Sequence, residues 1–309
     1  MNIVMAIFGA ASQGLTWAIL ALGVYLTFRI LNFADMSCEG SFALGGSISA
    51  MLMVNHGWNP FITLFIAILS GMAAGFITGF LHTKLKIPAI LSGILTMIGL
   101  YSVNLRVMGQ ANTSLIGQNT IIQVFKGLLP EAKELGIKDS TLQVWVTIGV
   151  GLTCIIAVIA ILYWFFGTEI GCCIRATGNN ENMVRAQGVN TDRMKILGLI
   201  ISNGLIALAG ALVTQSQGYA DVNMGVGAIV IGLASIVMGE VLLHKVKNFA
   251  GKLLAIMIGS ITYRIIIAAV LQLGMDTDDM KLLTAVVVAL ALSVPVLKKK
   301  KGTVRREAV

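Results

Sequence analysis

The chain has 309 residues, of which 57% are hydrophobic and only 12% are charged, whereas a soluble domain carries about 25% charged residues. This composition excludes a soluble domain and predicts an all-α, polytopic transmembrane bundle. The formal net charge of +8 lies in short loops between apolar runs, so it does not indicate a nucleic-acid partner.

The hydropathy pattern predicts nine spans, each long enough to cross a hydrocarbon core of about 30 Å. They are residues 3–28, 36–54, 60–81, 88–108, 142–166, 196–217, 226–243, 250–273 and 281–297. Segment 36–54 is rich in Gly and Ser, so a broken or re-entrant helix is the alternative there, and the count is then eight.

A faint repeat relates residues 15–46 to residues 205–232, with Asn32-Phe33-Ala34-Asp35-Met36 matching Gly218-Tyr219-Ala220-Asp221-Val222. In the nine-span topology the two copies face opposite sides. This predicts an inverted repeat with substrate passing near its interface. Chance similarity between spans rich in Gly and Ala is the alternative.

Basic and acidic residues fall in different loops, and the positive-inside rule converts this asymmetry into an orientation. The basic loops predicted inside are 29–35, 82–87, 167–195 and 244–252, and the loops predicted outside include 109–141, 218–225 and 274–280. The sequence divides into a transmembrane domain, 1–297, and a basic cytoplasmic tail, 298–309. The N-terminus is outside in the nine-span topology and inside in the eight-span one. The basic tail favours anionic lipid headgroups, so membrane lipid is an expected partner.

Loop 167–195 contains a short helix signal over residues 180–187. Asn179 and Asn180 can cap the helix start, and Glu181 suits the positive end of its dipole. Gly188 can adopt the left-handed conformation that ends a helix. A short polar helix, capped at both ends and placed between two spans, predicts a docking element. An ordinary solvated loop is the alternative.

The pattern of Arg175-Ala176, Asn179/Asn180, Ala186 and Gly188-Val189 resembles the cytoplasmic coupling loop of permeases in the branched-chain amino acid, ribose and nucleoside class of ABC importers. Residues 14–46 are also similar to this family, and the form FRILNFADMSCEGSF looks closest to a subgroup for aromatic amino acids, tyrosine or tryptophan. The residues expected to couple to the ATPase are Arg175, Asn179, Asn180, Glu181, Asn182, Met183, Arg185, Ala186 and Gly188. Arg185 is expected to meet a carboxylate of the partner.

The resemblance implies a permease subunit in the bacterial plasma membrane that works with ATPase subunits, an extracytoplasmic binding protein and a second permease copy, giving a homodimer. The sequence contains no Walker A pattern, so ATP is hydrolysed on another chain and this chain is neither an enzyme nor a cofactor protein. Loop 109–141 is expected to dock the binding protein, with a surface-lying helix as the alternative. The competing function is an ion-coupled secondary transporter, and the alternative cargoes are branched-chain amino acids and nucleosides.

Polar residues within or at the ends of spans are candidates for the translocation path, although bonding between neighbouring helices is the commoner role. They are Glu39, Asn104, Asn203, Gln215 and Gln217. Asp35 is predicted to cap the second span. Glu39, one turn further on, is expected either to serve the path or to contact Arg29 or Lys84.

Arg264 is expected to form a structural ion pair, with Glu240 a possible partner, in preference to clamping a substrate carboxylate. The four cysteines and three histidines are scattered, and their spacing predicts no metal site.

Overall fold

The computed structural model describes residues 3–128, 138–244, 246 and 248–272, and in addition residues 282, 284–286, 288, 289 and 293. Almost all of this part of the chain is helical, so the predicted all-α class is confirmed. In chain order the helices are α1 Ile3–Tyr25, which ends in a π-helical turn Leu26–Ile30, α2 Ser37–His56, α3 Pro60–Thr83, α4 Ala89–Met108, α5 Ile121–Gly127, α6 Asp139–Gly167, α7 Glu169–Asn179, α8 Glu181–Ala186, α9 Thr191–Gln217, α10 Ala228–Leu242 and α11 Phe249–Gln272.

Six of the described helices are long and apolar enough to cross a membrane: α1 with its π-helical turn, α3, α4, α6, α9 and α11. Two further predicted spans correspond to α2, which is less apolar, and to α10, which is shorter. The ninth predicted span, 281–297, and the basic tail, 298–309, lie largely or wholly outside the described residues.

Helix α9 occupies the centre of the bundle and packs against α1, α2 and α3. Small residues bring the backbones of α2 and α9 together: a Cβ at Gly45 would overlap the carbonyl of Ala207, and one at Gly210 would overlap the carbonyl of Phe42. The Gly- and Ser-rich composition of segment 36–54 therefore serves close helix packing. Helix α2 is continuous, and the chain is interrupted before it, at residues 31–36.

Helix α10 is shorter than the predicted span 226–243, because residues 222–227 are not helical. Its 15 residues extend about 22 Å at 1.5 Å per residue. Gly225 approaches the carbonyl of Glu39, which lies in the first turn of α2. Ser37, the first residue of α2, contacts Asn203 at the midpoint of α9. Both α2 and α10 therefore begin inside the bundle.

The two predicted repeat copies share one local geometry. Asp35 Oδ1 accepts a hydrogen bond from the Ser37 backbone N–H at 2.8 Å, and Asp221 Oδ1 accepts one from the Asn223 backbone N–H at 2.7 Å. Each aspartate thus bonds the backbone two residues ahead, in the interruption that precedes α2 or α10.

Described residues of all four loops that the charge pattern places inside meet at one end of the bundle. Gly178 packs against Ile30, and the Arg175 guanidinium lies 5.5 Å from the centre of the Phe249 ring. Lys86 lies 3.6 Å from Asp192. At the other end, two strands that the sequence did not predict, β1 Asn112–Ser114 and β2 Tyr219–Asp221, pair in antiparallel register. This pairing joins two loops predicted outside, so the segregation of the loops agrees with the predicted orientation.

Candidate functional site

Helix α8 forms the predicted short helix of the cytoplasmic loop. The Asn180 side chain accepts a hydrogen bond from the Met183 backbone N–H at 3.1 Å, and the helix runs Glu181–Ala186. Gly188 has φ +84°, in the left-handed region that favours glycine. Asn179, the other cap candidate, is instead the last residue of α7.

Helix α7, which the sequence analysis missed, precedes α8 in the same loop. The Thr168 hydroxyl caps it by accepting from the Gly171 N–H at 3.3 Å. Ile174 is buried, and Gly178 lies so close to the carbonyl of Ile30 that no Cβ would fit. The cap residue Thr168 followed by an acidic first turn was the available sequence signal. Loop 167–195 is therefore a packed, two-helix element held against the end of the first span.

A network of charges fixes α8 to the start of α9. The Glu181 carboxylate accepts from Lys195 at 2.7 Å, from Arg185 at 2.9 Å and from the Thr191 hydroxyl at 3.1 Å. The hydrogen bond from Lys195 lowers the pKa of Glu181 below its ordinary value, with further lowering from Thr191 and the charge of Arg185. Arg185, expected to await a carboxylate of a partner, is already paired within its own chain.

The outer surface of α8 is left free by this arrangement. Val184 is buried and anchors the helix, whereas Asn182, Met183 and Ala186 are exposed. Met183, a flexible apolar side chain, exposes 49% of its surface. Small Ala186 beside it leaves room for an approaching surface.

A cavity of about 570 Å³ lies beside α7 at the same end of the bundle. Three cationic residues, Arg29, Arg175 and Lys252, line it together with Tyr25 and Asn179. The Arg175 guanidinium lies 5.5 Å from the centre of the Phe249 ring. Of these three cations only Arg29 has an ion-pair partner within the described residues. A cluster of cationic side chains therefore lies beside α7, at the same end of the bundle as α8.

Asn203, a candidate for the path, is fully buried in a hydrogen-bonded cluster. Its Nδ2 donates to Asp35 Oδ2 at 2.9 Å, and its Oδ1 accepts from the Ser41 hydroxyl at 2.6 Å. Asp35 Oδ1 accepts from both the backbone N–H and the hydroxyl of Ser37. Asp35 thus bonds the start of α2, as predicted, and also links α2 to α9.

Gln215 is also buried and fully engaged. The two N–H groups of its Nε2 have three acceptors within reach, the hydroxyls of Ser49 and Thr63 at 3.1 Å and the Pro60 carbonyl at 3.2 Å. Its Oε1 accepts from the backbone N–H of Ile121 at 3.1 Å. Gln215 therefore joins α2, α3, α5 and α9 near the outer end.

The remaining amide candidates differ in their surroundings. Asn104 is buried and donates to the carbonyl of Gly40 at 3.3 Å, while Gln217 is exposed at the outer end of α9. Three of the four amide candidates thus make buried hydrogen bonds between helices, which is the commoner role of such side chains in membrane bundles.

Glu39 contacts neither Arg29 nor Lys84, so that expectation was wrong. Its Oε1 accepts from the Gly227 backbone N–H at 2.9 Å. Gly227 is the residue that precedes α10 and has φ +83°. The carboxylate therefore lies at the positive end of the α10 dipole, and this interaction stabilises a helix that begins inside the bundle. The two interruptions of the repeat meet at this bond.

Arg264 does not pair with Glu240, which instead pairs with Arg29. The Arg264 guanidinium lies over the Trp17 ring, 4.2 Å from its centre, and lines a cavity of about 850 Å³. The expectation of an Arg264–Glu240 ion pair was wrong because the two residues lie towards opposite ends of the bundle.

Metal chemistry finds no support in the described part of the chain, where no group of three or more His, Cys, Asp or Glu residues could hold an ion. Cys38, Cys154, Cys172 and Cys173 are all free thiols. The charged and polar candidate residues therefore fall into two sets. One is the exposed surface around α8, and the other is the group of buried polar side chains around the starts of α2 and α10.

A bundle with several apolar spans, interrupted helices and a capped polar helix on its basic end defines the class of multi-pass membrane transport proteins. The chain belongs to the family described as the permease component of the branched-chain amino acid transport system, whose profile matches residues 6–294. It is thus an ABC-type permease of the cell membrane, a subunit that is not itself an enzyme.

Two relatives cover most of the chain. The tyrosine transport system permease protein of Clostridioides difficile (strain R20291) is 40% identical over 282 residues, which is 91% of this chain and 88% of that protein. The ribose import permease of Escherichia coli (strain K12) is 25% identical over 288 residues, 93% of this chain and 84% of that one. Among solved structures, PsaBC from Streptococcus pneumoniae in complex with Fab matches with a TM-score of 0.48 and 16% identity, over 94% of this chain and 91% of that chain.

Proposed function

We propose that this permease imports an aromatic amino acid, with tyrosine as the first candidate and tryptophan as the second. The observation that carries the proposal is the 40% identity, over 91% of the chain, to a protein described as a tyrosine transport system permease. The ribose import permease is more distant, at 25% identity. Branched-chain amino acids are the next candidates.

In this proposal α8 is the element through which an ATPase subunit drives the permease. Its exposed face presents Asn182, Met183 and Ala186, while Val184 and the Glu181 network hold it to the bundle. A push on a helix held in this way is passed to α9, which packs against α1, α2 and α3. The cations around the neighbouring cavity would favour an acidic partner surface.

An importer of this class needs an extracytoplasmic binding protein, and we propose that it docks on the outer end of the bundle. There, β1 and β2 join the loop after α4 to the loop after α9. Ile116, with 89% of its surface exposed, lies just after β1. A second copy of this chain would complete the translocation path, with two ATPase subunits beneath.

The test is uptake into liposomes that contain the permease and the ATPase and binding protein with which it co-purifies from its own cells. With ATP enclosed, the vesicles should accumulate radiolabelled L-tyrosine, and a non-hydrolysable ATP analogue should abolish accumulation. L-tryptophan, L-leucine and D-ribose are tested in parallel. Accumulation of leucine or ribose without tyrosine would refute the proposed cargo and leave the family assignment unchanged.

A further inference from the structure

The guanidinium of Arg264 has no hydrogen-bond acceptor among the described residues. Its Nε is buried and without a partner, and the nearest group to its charge is the Trp17 ring. A guanidinium stays charged under all ordinary conditions. Burying a charge without a paired or hydrogen-bonding group is costly. The position of Arg264 therefore indicates that an anion binds beside it.

Trp17 adds a second observation at the same place. Its Nε1 is also buried and without an acceptor. Only three buried side-chain polar atoms in the described part of the chain lack a partner, and two of them belong to this stacked pair. Buried polar groups in proteins are nearly always hydrogen-bonded, so two adjacent exceptions indicate a ligand site.

A cavity of about 850 Å³ between the outer halves of α1, α6 and α11 has Arg264 in its wall. Its polar lining includes Arg264, Gln13, Gln272 and, at the start of α6, Lys138. None of the described residues that line it is an Asp or a Glu. The rest of the wall is largely apolar, with Met5, Val144 and Ile267 among its members. The cavity therefore has cations and amides at fixed points of an apolar wall, as small-molecule sites commonly do.

The depth of Arg264 in the bundle distinguishes two possible sources of an anion, a phospholipid headgroup and a small carboxylate. Arg264 lies eight residues before Gln272, the last described residue of α11, which is at least about 12 Å along the helix axis. Trp17 lies fourteen residues after Ile3, the first described residue of α1, which is at least about 21 Å along its axis. A phospholipid phosphate stays at the headgroup level, outside the hydrocarbon core of about 30 Å. A small carboxylate that enters the cavity from the outside reaches this depth.

We propose that the cavity lined by Arg264, whose guanidinium lies over Trp17, binds the carboxylate of the transported amino acid on its way from the binding protein. The inference rests on the proposed function, since it assumes an amino acid cargo. The guanidinium offers a planar pair of donors that matches a carboxylate. The apolar wall accommodates the side chain, and the amide oxygens of Gln13 and Gln272 are available for the ammonium group.

The first experiment measures ATP-driven tyrosine uptake in the complete transporter with Arg264→Gln, Arg264→Lys and the matched control Arg106→Gln. Arg106 lies exposed at the outer end of α4 and does not line the cavity. Loss of a charge-assisted hydrogen bond should lower uptake by Arg264→Gln roughly 10- to 100-fold at limiting substrate. Arg264→Lys should recover part of it, and Arg106→Gln should match the wild type.

The second experiment detects binding without transport. Trp58, Trp145 and Trp164 are exposed, so their replacement by Phe leaves Trp17 as the only fluorophore of its kind. L-tyrosine and 3-(4-hydroxyphenyl)propionate, which both keep the carboxylate, should change its fluorescence saturably. Tyramine, which lacks the carboxylate, should not. Arg264→Gln in this background should weaken the response to both carboxylates.

The outcomes separate this proposal from the proposed function. If the wild-type transporter takes up another cargo and no tyrosine, the proposed function fails. If it takes up tyrosine and Arg264→Gln does so equally well, the cavity proposal fails alone. An equal response to tyramine also overturns it. So does native mass spectrometry showing an anionic lipid that wild type retains and Arg264→Gln loses while uptake is unchanged.

Discussion

Two carboxylates in this permease hold short interruptions of the chain in place, and they do so by opposite means. Asp35 is fully buried and is held by Ser37 and Asn203, with no cation beside it among the described residues. Glu181 lies at the surface and is held by Lys195 and Arg185. The buried cluster depends on every one of its bonds, because no water replaces a lost partner. The surface network can be remodelled cheaply, because water and ions screen it.

Removal of the buried carboxylate should produce the largest effect. Asp35→Ala removes an acceptor from the Asn203 amide and from the Ser37 hydroxyl at the middle of the bundle. The hydroxyl then has only Asn203 Oδ1, at 3.2 Å, and the amide only the Leu199 carbonyl, at 3.1 Å. The expected loss of unfolding free energy is about 2–5 kcal/mol. Unfolding of the purified permease in mixed micelles titrated with SDS measures it.

Asp221→Ala is the matched control, since Asp221 makes the same backbone bond at the outer surface. Its expected cost is within about 1 kcal/mol. Equal losses in the two variants would show that burial does not distinguish these aspartates.

On the exposed face of α8, beside the Glu181 network, a substitution should lower ATP-driven uptake without changing the stability of the permease. Ala186→Trp places a large ring on the exposed face of α8. If the ATPase binds this face, overpacking of about 1–3 kcal/mol should lower ATP-driven uptake roughly 5- to 150-fold. Co-purification with the ATPase and substrate-stimulated ATP hydrolysis are measured beside uptake.

Asn119→Trp, at an exposed outer position, controls for the added ring and should leave co-purification with the ATPase intact. Wild-type association and hydrolysis in Ala186→Trp would show that α8 is an ordinary surface turn. In that case the coupling role assigned to this helix is wrong.

Loss of the surface carboxylate should have a small and pH-dependent effect. Glu181→Gln removes an ion pair with Arg185, whose side chain is 58% exposed, and one with Lys195, whose side chain is 18% exposed, so the expected cost at neutral pH is about 1 kcal/mol. The pKa of Glu181 is lowered from 4.5 by its partners. Its contribution is therefore present above pH 4.5 and disappears as the pH falls through the lowered folded value.

The stability difference between wild type and Glu181→Gln, followed from neutral to acidic pH, measures this contribution. Glu169→Gln is the control, because Glu169 is exposed and has no ion pair in the described part of the chain. A difference that grows as the pH falls would contradict the assigned direction.

The smallest change to the protein, a single exposed cysteine, tests only on which side of the membrane each region lies. Single cysteines at Asn119 and Gln187, both exposed, in a cysteine-free background should leave uptake unchanged. An impermeant thiol reagent should label the first from outside intact cells and the second only from the cytoplasmic side. Labelling of both from the same side would contradict the orientation on which the comparison depends.

Much of this architecture could be predicted because its signals are local. Hydropathy marked the spans, charge segregation marked their direction, and the cap residue Asn180 with Gly188 marked α8. The predicted ends of the elements were less accurate than the elements themselves. Helix α7 was not predicted, although Thr168 and Glu169 signal its start.

Partners far apart in the chain could not be predicted from local signals. Glu39 has basic residues near it in sequence and in topology, yet it bonds the backbone of Gly227. Asp35 could be predicted to cap α2, but its bond to Asn203 depends on how α9 packs. Arg264 lies at a different depth from Glu240, and only the packing of α1 against α11 brings it over Trp17. A backbone partner has no side-chain signal, and depth depends on where each helix begins.

Helix α2, which follows the interruption at residues 31–36, also has a consequence for how the protein is synthesised and inserted. Helix α2 is not among the helices that are long and apolar enough to cross a membrane, and its closest contacts are with α9. About 160 residues separate the end of α2 from the end of α9. At about 5–20 residues per second, a ribosome needs roughly 10–30 s to complete that stretch. During that interval α2 lacks the helix that covers its polar and glycine-lined face. The insertion machinery, or the first spans to emerge, must therefore shelter α2 until α9 has been made.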